Sequence, residues 1–263
     1  MQNSPRFSII TPSLNQGKFI EQTICSVLSQ QEVDLEYIVM DGGSSDETSS
    51  ILEKYNGELK WRSEPDGGQT EAINNGLRLA TGDIVCYLNA DDLFLPGALQ
   101  KVAHRFNSQP QVMWLTGQCS IVDSENREVR RPITVYKNLL LRLRSFSLLL
   151  MTNFISQPAT FWRRSLLDEL GLPDEDFRYV MDYEYWLRLY AKYPPAFLPE
   201  YLACFKIHPA SKTTSTGHKD AYVREEQAIL KKYASAPWQL RLHDVHRSLM
   251  TLAYSIMNRS ESS

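Results

Sequence analysis

The sequence predicts an α/β fold: a mostly parallel sheet flanked by helices, with a helical extension at the C-terminal end. Two observations carry this. Short apolar segments of strand length alternate with segments of helical period from residue 7 to residue 115, with short connections between them. Beyond residue 219 only helical periodicity remains.

Residues 7–11 form the first apolar run, closed by Pro12. Phe19, Ile20, Thr23, Ile24, Val27 and Leu28 then recur at helical spacing. Residues 37–40 make a second strand that ends at Asp41-Gly42-Gly43. Ser45 is placed to cap the next helix, with Asp46 and Glu47 favourable in its first turn. Residues 59–63 read as a third strand, 69–80 as a helix stopped by Thr81-Gly82, and 84–88 as a fourth strand running into Asn89-Ala90-Asp91-Asp92. Pro96 opens another helix as a first-turn proline, and strand character resumes over 112–115. Further along, 136–151 reads as one helix, 156–162 as a strand and 164–170 as a short helix ended by Gly171. Residues 182–193 form a helix and 196–207 a strand, and helices over 219–233 and 238–257 close the chain. The division expected is a catalytic domain over 1–215 and a helical extension over 216–263.

With 263 residues, 43% of them apolar and 22% charged, the chain can bury a sizeable core and is not expected to be disordered. The balance of 28 basic and 31 acidic residues, a net charge of −3, speaks against a nucleic-acid partner. Cys25, Cys86, Cys119 and Cys204 lie far apart without metal-ligand spacing, and three sit in apolar stretches that suit buried thiols. A reducing, cytoplasmic setting follows as the expectation, since residues 1–6 show no signal-peptide core and no apolar run of spanning length occurs.

In parallel sheets ligands bind beyond the carboxyl ends of the strands. Three strands here end in polar or glycine-rich segments: Thr11 to Gly17, Asp41 to Asp46 and Asn89 to Asp92. Adjacent carboxylates at Asp91 and Asp92 repel one another unless a cation or donors compensate them. A hard divalent cation takes one or two carboxylates plus substrate phosphates; a solvated acidic pair beside the following helix fits the local sequence equally well. Asp41 stands at a strand end beside two glycines, where a backbone can approach a ligand closely. The loop from Glu64 to Gln69, which contains Asp66, runs into a helix carrying Asn74.

The segments Phe7-Ser-Ile-Ile-Thr-Pro-Ser-Leu-Asn-Gln-Gly17, Val39-Met-Asp-Gly-Gly-Ser-Ser-Asp46 and Ala80-Thr-Gly-Asp-Ile-Val-Cys-Tyr-Leu-Asn-Ala-Asp-Asp92 occur in order. Tyr179-Val-Met-Asp-Tyr-Glu-Tyr-Trp-Leu-Arg-Leu189 and Phe205-Lys-Ile-His-Pro209 follow. Together they resemble the family 2 glycosyltransferases of GT-A fold, over roughly residues 6 to 210. The resemblance implies a nucleotide-sugar donor, an inverting transfer and a divalent metal, Mn²⁺ or Mg²⁺. It places the donor nucleotide on Thr11, Pro12, Asn15, Asp41, Asp66, Asn74, Asn89 and Ala90. Asn89-Ala90-Asp91 stands for the family's DxD motif, so Asp91 is the implied metal ligand, and Asn89 departs from the pattern by being an amide. Asp182 matches the acid that acts as catalytic base, with Met181 in the place of the preceding glutamate. His208 matches the histidine that completes the metal shell in some members.

On a helix Glu184 points about 200° away from Asp182, so the two cannot face one acceptor; Glu184 is the competing base candidate. Gln157 lies in a segment resembling the acceptor side of related enzymes, where a plain strand edge is the alternative. The acceptor expected is a glycan or a lipid-linked glycan of cell-surface assembly. Residues 139–151 suit a peripheral contact at the inner membrane face, with Lys137, Arg142 and Arg144 near headgroups, or simple core packing. In the last helix Trp238, Leu242, Val245, Leu249, Leu252 and Ile256 form a seam. Docking on the same chain is its expected use, ahead of a homodimer or a membrane contact. A non-catalytic nucleotide-sugar or glycan-binding protein on the same fold is the alternative function.

Overall fold

The structure, a computed structural model, describes residues 4–209, 211 and 219–260, with side chains to Thr251. The elements run β1 (Arg6–Ser13), α1 (Ile20–Leu28), β2 (Asp34–Asp41), α2 (Thr48–Lys54), β3 (Lys60–Ser63), α3 (Gln69–Leu79) and β4 (Ile84–Tyr87). A two-residue β5 (Leu93–Phe94), α4 (Ala98–Ser108), β6 (Trp114–Val122), α5 (Arg131–Leu143) and α6 (Phe146–Met151) follow. The chain continues through β7 (Thr160–Arg163), α7 (Ser165–Leu170), α8 (Met181–Lys192), β8 (Ala196–Lys206), α9 (Lys219–Tyr233) and α10 (Pro237–Ser260).

One eight-stranded sheet has the order β3-β2-β1-β4-β7-β6-β8-β5. β1, β2, β3 and β4 are mutually parallel, β7 is antiparallel to both β4 and β6, and β6 is parallel to β8. Every strand except β7 and β5 therefore runs the same way. The carboxyl ends of β1, β2, β4 and β8 share one edge, and the start of β7 meets them there. This topology brings segments from residue 11 to residue 208 together.

Side chains alternate between two cores. Phe7, Ile9, Ile84 and Cys86 face a cluster with Ile24 of α1, Leu52 of α2 and Leu99 of α4. Ile10, Val85 and Tyr87 face the other way, onto Ile73 of α3, Leu149 of α6 and Trp186 of α8. A sheet buried on both faces explains why these strands read as continuous apolar runs. At Gly76 a Cβ would lie 2.4 Å from Ile10 Cγ2, so glycine lets α3 press onto β1. α9 joins the second core through buried Ile229 and Leu230. The boundary expected between 215 and 216 lies outside the described residues.

Several elements differ from expectation. Residues 136–151 form two helices, not one: Arg144 adopts a left-handed conformation at φ 43° and ends α5, and Ser145 Oγ accepts from Leu148 N to cap α6. α5 also begins earlier, with Pro132 in its first turn. The strand expected over 156–162 opens as a 3-10 turn at Gln157–Ala159, where Pro158 lacks a donor for a ladder, and becomes β7 only at Thr160. β6 runs well past Leu115, its polar residues Thr116 and Gln118 being buried between neighbouring strands. Ser45 caps no helix. Its N–H donates to Asn15 Oδ1, and α2 starts at Thr48, whose N–H and hydroxyl donate to Asp46 Oδ1.

The seam on α10 does not dock on the chain. Trp238, Leu242, Val245 and Leu249 are 57%, 41%, 58% and 60% exposed, while Gln239 and His243 are buried. The helix is turned so that its polar face packs inward. Leu252 and Ile256 lie outside the described side chains. Among the cysteines Cys86 and Cys119 are buried, Cys204 is half-buried and Cys25 is exposed. Among the described residues no helix is long and apolar enough to cross a membrane.

Candidate functional site: a three-loop cleft joined to an acidic turn

The loops after β1, β2 and β3 bind one another through side chains. Thr11 is buried, with its hydroxyl 3.0 Å from the Tyr37 phenol, and Pro12 follows in the same strand. Asn15 takes φ 53°, a left-handed conformation asparagine tolerates. There Asn15 N donates to Ser44 Oγ at 2.7 Å, and Oδ1 accepts from Ser45 N at 2.9 Å. Asp41, at the end of β2, is 2% exposed. It accepts from Ser44 N and Ser63 Oγ at 2.8 and 2.6 Å, and also from Ser44 Oγ. Gly43 at φ 80° makes this turn feasible. Asp66 Oδ1 accepts from Gly68 N, and a Cβ on Gly42 would stand 2.9 Å from Asp66 Oδ2, so the third loop lies directly on the second.

Asn74 lies elsewhere. It is buried in α3, and its amide donates to Pro173 O at 2.9 Å and to Glu175 Oε1 at 2.7 Å, anchoring the loop before α8. Those bonds commit its Nδ2 to the loop before α8.

At the end of β4, Asn89 is a hub. Its Oδ1 accepts from Gln69 Nε2 at 2.7 Å, and its Nδ2 donates to Asp92 Oδ2 at 3.0 Å and to Gln157 Oε1 at 3.3 Å. An aspartate at this position could not donate these two bonds. Gln157, buried in the 3-10 turn before β7, also donates to Tyr87 O. Ala90 is buried, and its carbonyl accepts from Thr23 Oγ1 at 2.8 Å. Asp92 is fully buried and accepts from Lys206 N at 2.9 Å. Burial, and then repulsion from Asp91, push its pKa well up.

Asp91 keeps 19% of its side chain exposed, and its Oδ2 lies 3.0 Å from His208 Nε2. Burial raises its pKa while the His208 contact opposes the rise. His208 is held by a backbone bond from its N–H to Ser211 Oγ at 3.0 Å and by a stack on Phe19, ring centroids 4.2 Å apart. Lys206 is buried below, its Nζ 5.4 Å from the centre of the same ring and 3.0 Å from Gln22 Oε1. Burial lowers the Lys206 pKa.

Asp182 stands in the first turn of α8. Oδ1 accepts from Tyr183 N at 2.7 Å and Oδ2 from Asn153 Nδ2 at 3.2 Å. Burial raises its pKa against these bonds and the charge of Lys137. The turn is tied to the end of β4: Thr70 Oγ1 donates to Met181 Sδ, and the preceding residue Gln69 holds Asn89. Asn153 and Lys137 also line a cavity of about 250 Å³ with Tyr136, Glu226, His243, His246 and Arg247. Lys137 thus faces inward, not toward a membrane, and burial lowers its pKa. Glu184 is fully buried on the opposite side of α8. It accepts from Lys232 Nζ at 2.9 Å, from Tyr233 OH at 2.8 Å and from Arg188. Those partners hold it away from any acceptor, and they lower its pKa against burial, which would raise it.

Among the described residues no group of three or more His, Cys, Asp or Glu side chains is placed to hold a metal. Asp91 and His208 offer one oxygen and one nitrogen. A divalent cation that takes its remaining ligands from substrate phosphate and water fits that pair.

Sequence reasoning missed Gln69, Phe19, Lys206, Asn153 and the inward role of Lys137. Lys206 carried a signal, standing at the end of a strand two residues before His208. Asn153 carried none.

Comparison with known proteins converges on one description. Residues 8–171 match the family model described as Glycosyl transferase family 2. An uncharacterized glycosyltransferase of Mycobacterium tuberculosis is 32% identical over 193 residues, spanning 72% of this chain and 70% of that protein. A Campylobacter jejuni protein named GalNAc(5)-diNAcBac-PP-undecaprenol beta-1,3-glucosyltransferase is 28% identical over 228 residues, 83% of this chain and 70% of its own length. Among solved structures, a mannosyltransferase from Pyrobaculum calidifontis in complex with GDP-Man and Mn²⁺ aligns at a TM-score of 0.62 and 20% identity. That alignment covers 99% of this chain and 81% of the mannosyltransferase. The sheet order and flanking helices are those of the GT-A glycosyltransferase fold.

Proposed function

The chain belongs to glycosyl transferase family 2 and is a glycosyltransferase, and from that premise we propose an inverting transfer from a nucleotide-diphosphate sugar to a hydroxyl of a lipid-linked glycan. The observation that carries this reading is the shared edge. Asp41, Asp91 with His208, and Asp182 come from β2, β4, β8 and α8, yet all stand at the same end of the sheet.

The nucleoside lies against Thr11, Pro12, Asn15, Asp41 and Asp66, where backbone and glycine leave room for close approach. Asn89 keeps Asp92 in place rather than binding a metal itself. Asp91 and His208 would hold Mn²⁺ or Mg²⁺ together with donor phosphate oxygens, an arrangement that would supply neutralisation of charge on the leaving diphosphate. Asp182 takes the proton of the acceptor hydroxyl as the new bond to the anomeric carbon forms and the bond to the diphosphate breaks. Its raised pKa makes it a stronger base than an exposed aspartate. Asn153 orients it through Oδ2. The acceptor enters from the cavity beside Lys137 and Asn153. The lipid-linked character of the acceptor is supported by the name of the Campylobacter relative, and the metal by the Mn²⁺ in the Pyrobaculum complex.

A thermal-shift titration tests donor binding. Uridine, thymidine and guanosine diphosphate sugars are screened with and without Mn²⁺, and one donor is expected to raise Tm only with the cation, by mass action. A donor that stabilises Asp91→Ala as well as the wild type would remove Asp91 from the donor site. A non-catalytic binding protein would show the shift with no turnover.

A further inference from the structure

Two helices beside the cavity present apolar stripes to solvent. On α5, Val135, Leu139 and Leu143 recur every fourth residue and are 58%, 56% and 58% exposed. On α10 the stripe is Trp238, Leu242, Val245 and Leu249. The helices meet where Tyr136 stacks on His246, ring centroids 5.8 Å apart, with the phenol 2.7 Å from Nε2. Tyr136 follows Val135 and His246 follows Val245, each by about 100° around its helix. Each stripe therefore borders its own half of one contact. The cavity that reaches Asn153 lies under that contact.

Charge narrows the occupant. Residues 131–151 carry Arg131, Lys137, Arg142 and Arg144 and no acidic residue, in a chain of net charge −3. Arg131, Arg142 and Arg144 are exposed, and so is Arg241 beside Leu242. On the described part of α10 the acid is Asp244, already paired with Arg247 at 3.0 Å. A second copy of the chain would bring these arginines against their own equivalents with, among the described residues of α5 and α10, only the paired Asp244 to receive them, which disfavours self-association. Apolar side chains ringed by arginines, with a tryptophan at the border, suit the headgroup region of a bilayer.

We infer that the α5–α10 face docks on an anionic lipid bilayer, lying in its surface and setting the cavity mouth at headgroup level. This goes beyond the transferase reading and rests on the surface alone. Flotation of the full chain with vesicles tests it, comparing phosphatidylcholine alone with phosphatidylcholine containing 30 mol% (about one lipid in three) phosphatidylglycerol. The bound fraction is expected to be roughly tenfold higher or more on the anionic vesicles. Arg142→Glu with Arg144→Glu should erase that difference. Leu139→Glu with Val245→Glu should abolish binding while leaving donor hydrolysis and the melting temperature unchanged. Absence of wild-type flotation, or equal flotation on both vesicles, overturns the proposal. So does a dimer in sedimentation equilibrium that Leu139→Glu with Val245→Glu dissolves, since it would assign the face to a second copy.

Discussion

The proposed donor half and the proposed acceptor half of this enzyme are built differently. In the donor half, loops that immediately follow β1, β2 and β3 clasp each other: Asn15 holds Ser44 and Ser45, and Asp41 holds Ser44 and Ser63. Each partner is a few residues from a strand end, so the strands position the polar groups directly. In the acceptor half, Asp182 depends on Asn153, and the cavity beside it draws on α5, α6, α9 and α10. Its walls include buried His243 and Glu226, whose Nε2 and Oε2 lie 3.1 Å apart. A site made of strand-end loops is set by the sheet, whereas a site made of helix faces is set by how those helices pack. On the proposed function, donor chemistry is tied to the sheet and acceptor chemistry to the packing of the helices.

The largest effect expected falls on the donor half. Asp91→Ala should lower turnover by about 10³-fold or more, because the site loses the carboxylate that would hold the cation. Steady-state donor hydrolysis measures it, and full activity of this variant in chelator would break the assignment. A different outcome is expected for the other buried acid of α8. Glu184→Gln should cost about 3 kcal/mol of stability in urea unfolding, since it leaves Arg188 and Lys232 without their buried partner, yet leave the rate per folded molecule unchanged. A fall in rate with no fall in stability would return Glu184 to the list of base candidates. The smallest effect is the most specific to the comparison. Asn153→Ala removes a bond to charged Asp182, so the Asp182 pKa should rise further. The acidic limb of the rate profile should then move up by roughly one pH unit or less, with donor affinity unchanged.

The strand-end loops were legible in the sequence, and Asp182 by resemblance, whereas the helices that wall the cavity beside it were not, for physical reasons. Parallel strands place their carboxyl ends on one edge, so ordered polar segments after apolar runs announce a shared site. Asp41, Asn89 and Asp91 could be placed from that pattern. Helical periodicity shows that an apolar stripe exists without showing which way it faces. The seam from Trp238 to Leu249 therefore read as packing, although burial goes to Gln239 and His243. The break at Arg144 was hidden because leucines continue across it on both sides. Asn74 and Glu184 occupy plausible positions in their motifs, but their partners, Pro173 and Lys232, lie far along the chain or on another helix.

The central claim is that Asp182 is the base. Transfer and donor affinity measured side by side for wild type and Asp182→Asn test it most directly. The claim predicts a loss of kcat by about 10²- to 10⁴-fold with donor Kd unchanged. It also predicts a wild-type kcat that rises with pH through a limb above the usual aspartate value, as the buried carboxyl loses its proton. Transfer by Asp182→Asn at the wild-type rate, with the same limb intact, would contradict it.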